Sequence, residues 1–155
     1  MEHLEIQKAL EGSELFRGLE ESHIQKIAAL CSMDVYSRGQ CVFRQGELGD
    51  RICIVAEGQI FLERAVDLGI RKGSVLIGTL GKGRVFGCWS TLLNEPHTLM
   101  SSASCQKPAK IVSLKGATLR AMMESNTLLG FHIMERLCRL LRDRMQSVYG
   151  AMEKI

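Results

Sequence analysis

The sequence predicts a mainly-β protein: an eight-stranded, jelly-roll-like β-roll flanked by helices. Three observations carry this expectation. Residues 33–114 alternate short apolar, β-branched runs with glycine-bearing turns, the rhythm of a sandwich or roll. Residues 1–32 end in a helical apolar stripe. From 115 to 155 the glycines thin out and helix formers take over.

In the first segment Ile24, Ile27, Ala28 and Cys31 follow i, i+3, i+4, i+7 spacing, which predicts a helix over Glu20–Cys31. Leu15, Phe16 and Leu19 form an apolar anchor ahead of it. Strands are predicted at Met33–Tyr36, Cys41–Phe43, Ile52–Ala56, Gln59–Glu63, Ser74–Leu80, Arg84–Phe86, Leu99–Cys105 and Ile111–Leu114. The joints between them carry Gly39, Gly46, Gly49, Gly58, Gly69, Gly81 and Gly83. Tight turns of this kind need positive φ, which glycine adopts without a steric cost.

In the last segment Lys115–Glu124 predicts a short helix with Leu119, Met122 and Met123 inward. Ser125 or Asn126 then caps a long helix running to about Glu153. Its positions Phe131, Met134, Cys138, Leu141, Met145, Val148 and Met152 are separated by 3, 4, 3, 4, 3 and 4 residues, a heptad seam. At 1.5 Å per residue the seam is about 33 Å long, more than one small roll covers. A homodimer through this helix is therefore expected, with packing on the chain's own roll as the alternative. Glu135 and Arg139, four apart, can add an exposed ion pair.

The chain has 155 residues, 46% hydrophobic and 24% charged, which suits a single domain over 1–155. A net charge of +3 is no nucleic-acid signature, and Arg136, Arg139, Arg142 and Arg144 read first as a solvated helix face and second as an anion or partner surface. No apolar run approaches the roughly 18–20 residues of a membrane span. The acidic start Met1-Glu2-His3-Leu4-Glu5 is no signal peptide. The six cysteines form no C-x-x-C pair and no zinc spacing, and Cys31, Cys53 and Cys138 read as buried free thiols in a reducing, cytoplasmic compartment. Neither a nucleophile–base pairing nor a P-loop stands out, so an enzyme is not expected. A cupin-like metal site needs grouped strand histidines, and only His97 lies in the β region.

Two stretches carry a resemblance. Gln45-Gly46-Glu47-Leu48-Gly49-Asp50 leads to Ile52, Ile54 and Glu57-Gly58, and Leu80-Gly81-Lys82-Gly83-Arg84-Val85 leads to Phe86-Gly87. With the long final helix, they resemble the cyclic-nucleotide-binding domain superfamily, which includes catabolite-activator regulators and kinase regulatory subunits. The resemblance implies a phosphate-binding cassette opening at Phe86-Gly87, with a short helix whose free N–H groups meet an anion. It implies candidate ligand-binding positions at Phe86, Gly87, Cys88, Trp89, Ser90, Thr91, His97 and Thr98. In binding members a Glu after the Gly holds the ribose 2′-hydroxyl and an Arg nine or ten residues later faces the phosphate. Here those places hold Cys88 and His97. Losing each charged pair costs about 1.5–3 kcal/mol, so ordinary cAMP or cGMP binding is expected to be weak or absent.

Three readings stay open at this point: a pocket retuned for a cyclic nucleotide or another small anion, a degenerate domain serving dimerisation or docking, and a redox, haem or metal sensor using Cys88 with His97. No cofactor is fixed by the sequence. Family regulators place a helix-turn-helix after the long helix, and the sequence ends at Ile155. The output is therefore expected to lie in a protein partner or in a longer chain, with no direct nucleic-acid contact by these residues.

Overall fold

A computed structural model describes residues 1–153. The last two residues of the expected helical segment, 154 and 155, lie outside the described residues. In chain order the elements are α1 (Glu2–Glu11), α2 (Glu21–Ala28), β1 (Ser32–Tyr36), β2 (Cys41–Phe43), β3 (Leu48–Gly49), β4 (Arg51–Glu57), β5 (Ile60–Asp67), β6 (Lys72–Leu80) and β7 (Val85–Phe86). They continue with α3 (Trp89–Leu93), β8 (His97–Thr98), β9 (Ser102–Cys105), β10 (Ala109–Lys115), α4 (Gly116–Ser125) and α5 (Thr127–Met152).

Two four-stranded antiparallel sheets form the roll, in the orders β1-β10-β4-β7 and β2-β9-β5-β6. The described residues hold ten strands rather than eight, because β3 and β8 pair as a two-residue ladder at one edge. Strand alternation divides the first sheet between two cores. Ile52, Ile54, Val85, Val112 and Leu114 meet the helices, whereas Cys53, Val55, Phe86, Ala109 and Ile111 point between the sheets. The run Arg51–Glu57 is thus apolar on both faces at its centre, which is why it reads as a strand without polar alternation.

The helices pack on the first sheet. Ile6, Leu10, Leu15, Phe16, Ile24 and Ile27 bring the N-terminal segment into the helix-side core. The helix α2 stops at Ala28, three residues short of the expected end, since Ser32 already starts β1. Asn126 caps α5 by accepting a hydrogen bond from the Leu129 N–H at 3.2 Å.

The helix α5 carries two apolar faces. Leu129, Ile133, Leu137 and Leu140 are buried against the chain itself. The heptad seam is a different face. Phe131, Cys138, Met145 and Met152 are exposed, and Met134, Leu141 and Val148 are half-buried. Most of the seam therefore does not pack on the chain's own roll, although Met134 contacts the helix-side core, and Cys138 as a buried thiol is corrected. The inner stripe does that work, because its 4, 4, 3 spacing keeps one side of a 3.6-residue helix over the sheet. Glu135 and Arg139 do approach, at 3.5 Å. Among the described residues no helix is long and apolar enough to cross a membrane.

Candidate functional site

The chain from β7 through α3 to β8 forms a compact bend whose main chain is held from three directions. Gly87 sets its geometry. Its φ is +77°, and a Cβ there would lie 2.7 Å from the Arg51 carbonyl oxygen of β4. The close approach that demands glycine is thus to the neighbouring strand. The turn at Gly87 also sends its neighbours to opposite sides. Phe86 enters the layer between the sheets, 5.6 Å from the Phe43 ring, and Cys88 enters the helix-side core.

The sequence placed Cys88 in the ligand pocket, and the structure places it in the core instead, 7% exposed. Burial pushes its thiol up to about 12, partly offset by the Arg144 guanidinium. The thiolate is the form that ligates metals and attacks disulfides, so a thiol held protonated is a poor centre for either task. Among the described residues no three His, Cys, Asp or Glu side chains group as a metal site.

Trp89 and His97 come together. Their rings stack with centroids 5.4 Å apart and planes 24° from parallel. His97 pairs with Gly49 in the β3–β8 ladder, and its buried Nδ1 has no hydrogen-bond partner. Thr98 is exposed. Ser90 and Thr91 are buried and face α4. Ser90 packs on Gly116, where any side chain would collide with it, and its hydroxyl has no partner. The Thr91 hydroxyl donates to the Gly116 carbonyl at 3.2 Å. Of the expected positions, only Trp89 and His97 thus make a shared surface; Cys88, Ser90 and Thr91 are packed inward.

Three side chains hold the bend, and of these the sequence singles out only Arg144, as part of a solvated face. Glu14 accepts from the Val85 N–H at 2.7 Å and from Arg84 Nε at 2.9 Å. Arg120 of α4 donates to the carbonyls of Thr91 at 3.2 Å and Leu92 at 2.7 Å. Arg144 of α5 donates to the Val85 carbonyl. The arginines of α5 are therefore not one solvated face. Arg139 and Arg142 are exposed, but Arg136 donates to the carbonyls of Leu15 and Arg17, both at 2.8 Å. A signal for Arg144 was present: it extends the inner stripe 133, 137, 140 by one further step of four.

A cavity of about 210 Å³ opens between Asp34, Tyr36, Phe43, Arg51, Leu99 and Ile111, and none of the cassette positions line it. Arg51 is steadied there by the Ser113 and Ser32 hydroxyls at 3.0 and 3.2 Å. A groove of about 410 Å³ lies between α2 and α4.

Residues 33–126, more than half of the chain, match the family model of the cyclic nucleotide-binding domain. The chain belongs to the cyclic nucleotide-binding domain family. The cyclic AMP receptor protein of Thermus thermophilus is 28% identical over 134 residues, 86% of this chain and 60% of that protein. The cAMP-dependent protein kinase regulatory subunit of Mycosarcoma maydis is 32% identical over 94 residues, 58% of this chain and 16% of that protein. A solved cyclic nucleotide-binding domain from Methylobacillus flagellatus superposes with a TM-score of 0.77 at 19% identity, covering 99% of this chain and 84% of that one. The chain thus spans about 60% of the length of the bacterial receptor and a small part of the kinase subunit.

Proposed function

We propose that this domain, taken as one unit over residues 1–155, is a non-catalytic sensor whose cassette takes a small phosphorylated ligand and whose output is the position of α4 and α5. One observation carries the ligand part. His97, at the position where the resemblance implies the phosphate arginine of binding relatives, has a buried ring nitrogen without a partner among the described residues. Leaving such a group unpaired costs about 1–3 kcal/mol, and a ligand oxygen or donor would relieve it. The route of the output follows from the tethers: Arg120 ties the cassette helix to α4, and Arg144 ties its entrance to α5. Displacing the cassette displaces their anchors, which is how binding at one place becomes a change elsewhere.

The free seam on α5 completes the reading. Phe131, Cys138, Met145 and Met152 stand exposed on this face, with Met134, Leu141 and Val148 half-buried beside them. A second copy of α5 covers them in a homodimer, and the methionines make that contact adaptable. A protein partner, or sequence beyond this chain, carries the effect onward in the cytoplasm.

Calorimetric titration with cAMP, cGMP and inorganic phosphate tests the reading. Without the acidic and basic groups of binding relatives, cAMP is expected to bind at micromolar or weaker affinity. Sub-micromolar cAMP binding would refute the retuned cassette. No binding of any probe at millimolar concentration would favour a docking module without ligand, for which the Trp89 ring lying over His97 is the supporting feature.

A further inference from the structure

The domain carries a guanidinium beside β7 that no carboxylate among the described residues holds in an ion pair. Arg144 is half-buried, and its one hydrogen bond among the described residues goes to the neutral Val85 carbonyl. It joins none of the ion pairs within 4.0 Å among those residues. Cys88, Glu14 and Asp143 favour its charge, and of these Glu14 engages Arg84 and the Val85 N–H through Oε2. Arg84 adds a second cation to the neighbourhood. Burial lowers the Arg144 pKa, and Cys88, Glu14 and Asp143 offset this only in part.

An arginine is also a strange choice for this place. The inner stripe of α5 runs Ile133, Leu137, Leu140, and the next step of four lands on position 144. A leucine there would extend the core. A buried cation without a partner lowers stability, so its presence needs another reason. The bend it touches has lost the cationic group expected at position 97, where a histidine now stands.

We infer that Arg144 supplies the positive charge for the ligand of this domain, binding a phosphoryl group from α5 in place of an arginine within the cassette. The inference rests on the ligand-binding reading proposed above and goes beyond it by naming the residue and the chemistry recognised. A guanidinium offers five N–H donors in a planar fork that matches phosphate oxygens two at a time. One donor is engaged by Val85, which leaves the others for an anion. The charge that meets the ligand then sits on the helix that bears the free seam, so ligand occupancy acts on α5 directly.

The test is titration of the natural protein, Arg144→Gln and Arg142→Gln with cAMP and, separately, inorganic phosphate. Arg142 is the control, an exposed arginine two residues away whose one partner among the described residues is Asp143. Arg144→Gln is expected to weaken whichever probe binds by about 10- to 100-fold, and Arg142→Gln by less than about twofold. Binding of cAMP alone identifies a nucleotide phosphate; equal loss with inorganic phosphate identifies a bare phosphoryl site. Unchanged affinity in a folded Arg144→Gln overturns the inference and leaves the ligand-binding reading standing. No binding by the natural protein overturns both. Should Arg144→Gln fail to fold, a crystal of the natural protein soaked with the bound probe decides the matter. Phosphate oxygen within hydrogen-bond distance of Arg144 upholds the inference, and an anion seated elsewhere overturns it.

Discussion

Replacing Gly87 by alanine should weaken the fold through two effects that separate experimentally. The first is conformational. Gly87 sits at φ +77°, in the left-handed region, which costs a side-chain-bearing residue about 1–2 kcal/mol. The second is steric. The new methyl would lie 2.7 Å from the Arg51 carbonyl oxygen, which is backbone and cannot swing aside. Overpacking of this kind costs about 1–3 kcal/mol. The sum is about 2–5 kcal/mol, or roughly 4–20 °C in Tm for a domain of this size. Gly46 isolates the first effect, since its φ is +90° and nothing lies within 4 Å of its Cβ direction. Gly46→Ala should therefore cost about 1–2 kcal/mol. Gly78→Ala, with open space and no positive φ, should stay within about 0.5 kcal/mol of the natural protein. Urea unfolding followed by circular dichroism measures all three. Equal losses for Gly87→Ala and Gly46→Ala would refute the close approach of β7 to β4 and, with it, the geometry that sends Phe86 and Cys88 to opposite sides.

The two faces of α5 should respond differently to truncation. Leu137→Ala removes a fully buried side chain and should cost about 2–5 kcal/mol by urea unfolding. Met145→Glu, on the exposed seam, should leave the melting of a monomer nearly unchanged and yield monomers by light scattering at micromolar concentration; persistence of the dimer would exclude the seam as its interface. Iodoacetamide at pH 8 should label Cys138 first and leave Cys53 and Cys88 unmodified in the folded protein, as read by mass spectrometry. Alkaline pH should destabilise the fold. Burial pushes Cys31, Cys53 and Cys88 from an ordinary 9.0 to about 12. Above pH 9 the unfolded chain therefore loses thiol protons that the folded chain keeps. Stability is full below pH 9 and falls up to about pH 12, by about 1.4 kcal/mol per pH unit for each such thiol. Cys88→Ala should make the decline shallower; an unchanged slope would contradict its burial.

Much of the architecture was legible because period and composition are local. The run Ile52–Ala56 announces a strand, and the stripe Ile24, Ile27, Ala28 announces a helix, from neighbours within a turn or two. The ladder between β3 and β8 was not legible, since two residues per strand carry no period. Its partners also lie almost 50 residues apart: Leu48 meets Thr98 and Gly49 meets His97. The inner face of α5 escaped notice for a different reason. The heptad from Phe131 to Met152 is the more regular pattern, while Leu129, Ile133, Leu137 and Leu140 follow the looser spacing of a helix lying on a sheet.

The site divides in the same way. From the residues alone, Phe86-Gly87 ahead of a short helix was legible, and the resemblance marks Cys88 and His97 as the places where charged ligand-holding groups are expected. Side-chain direction was not, because it depends on one backbone torsion at Gly87 and on what packs behind it. Only the tertiary structure decided that Cys88 joins the core, that His97 lies under Trp89 with an unpaired nitrogen, and that Arg144 reaches Val85 from a helix some 60 residues away. Sequence periodicity tells which residues share a face. Which polar group meets which is settled when distant elements close on one another, where each buried donor must find an acceptor or go without.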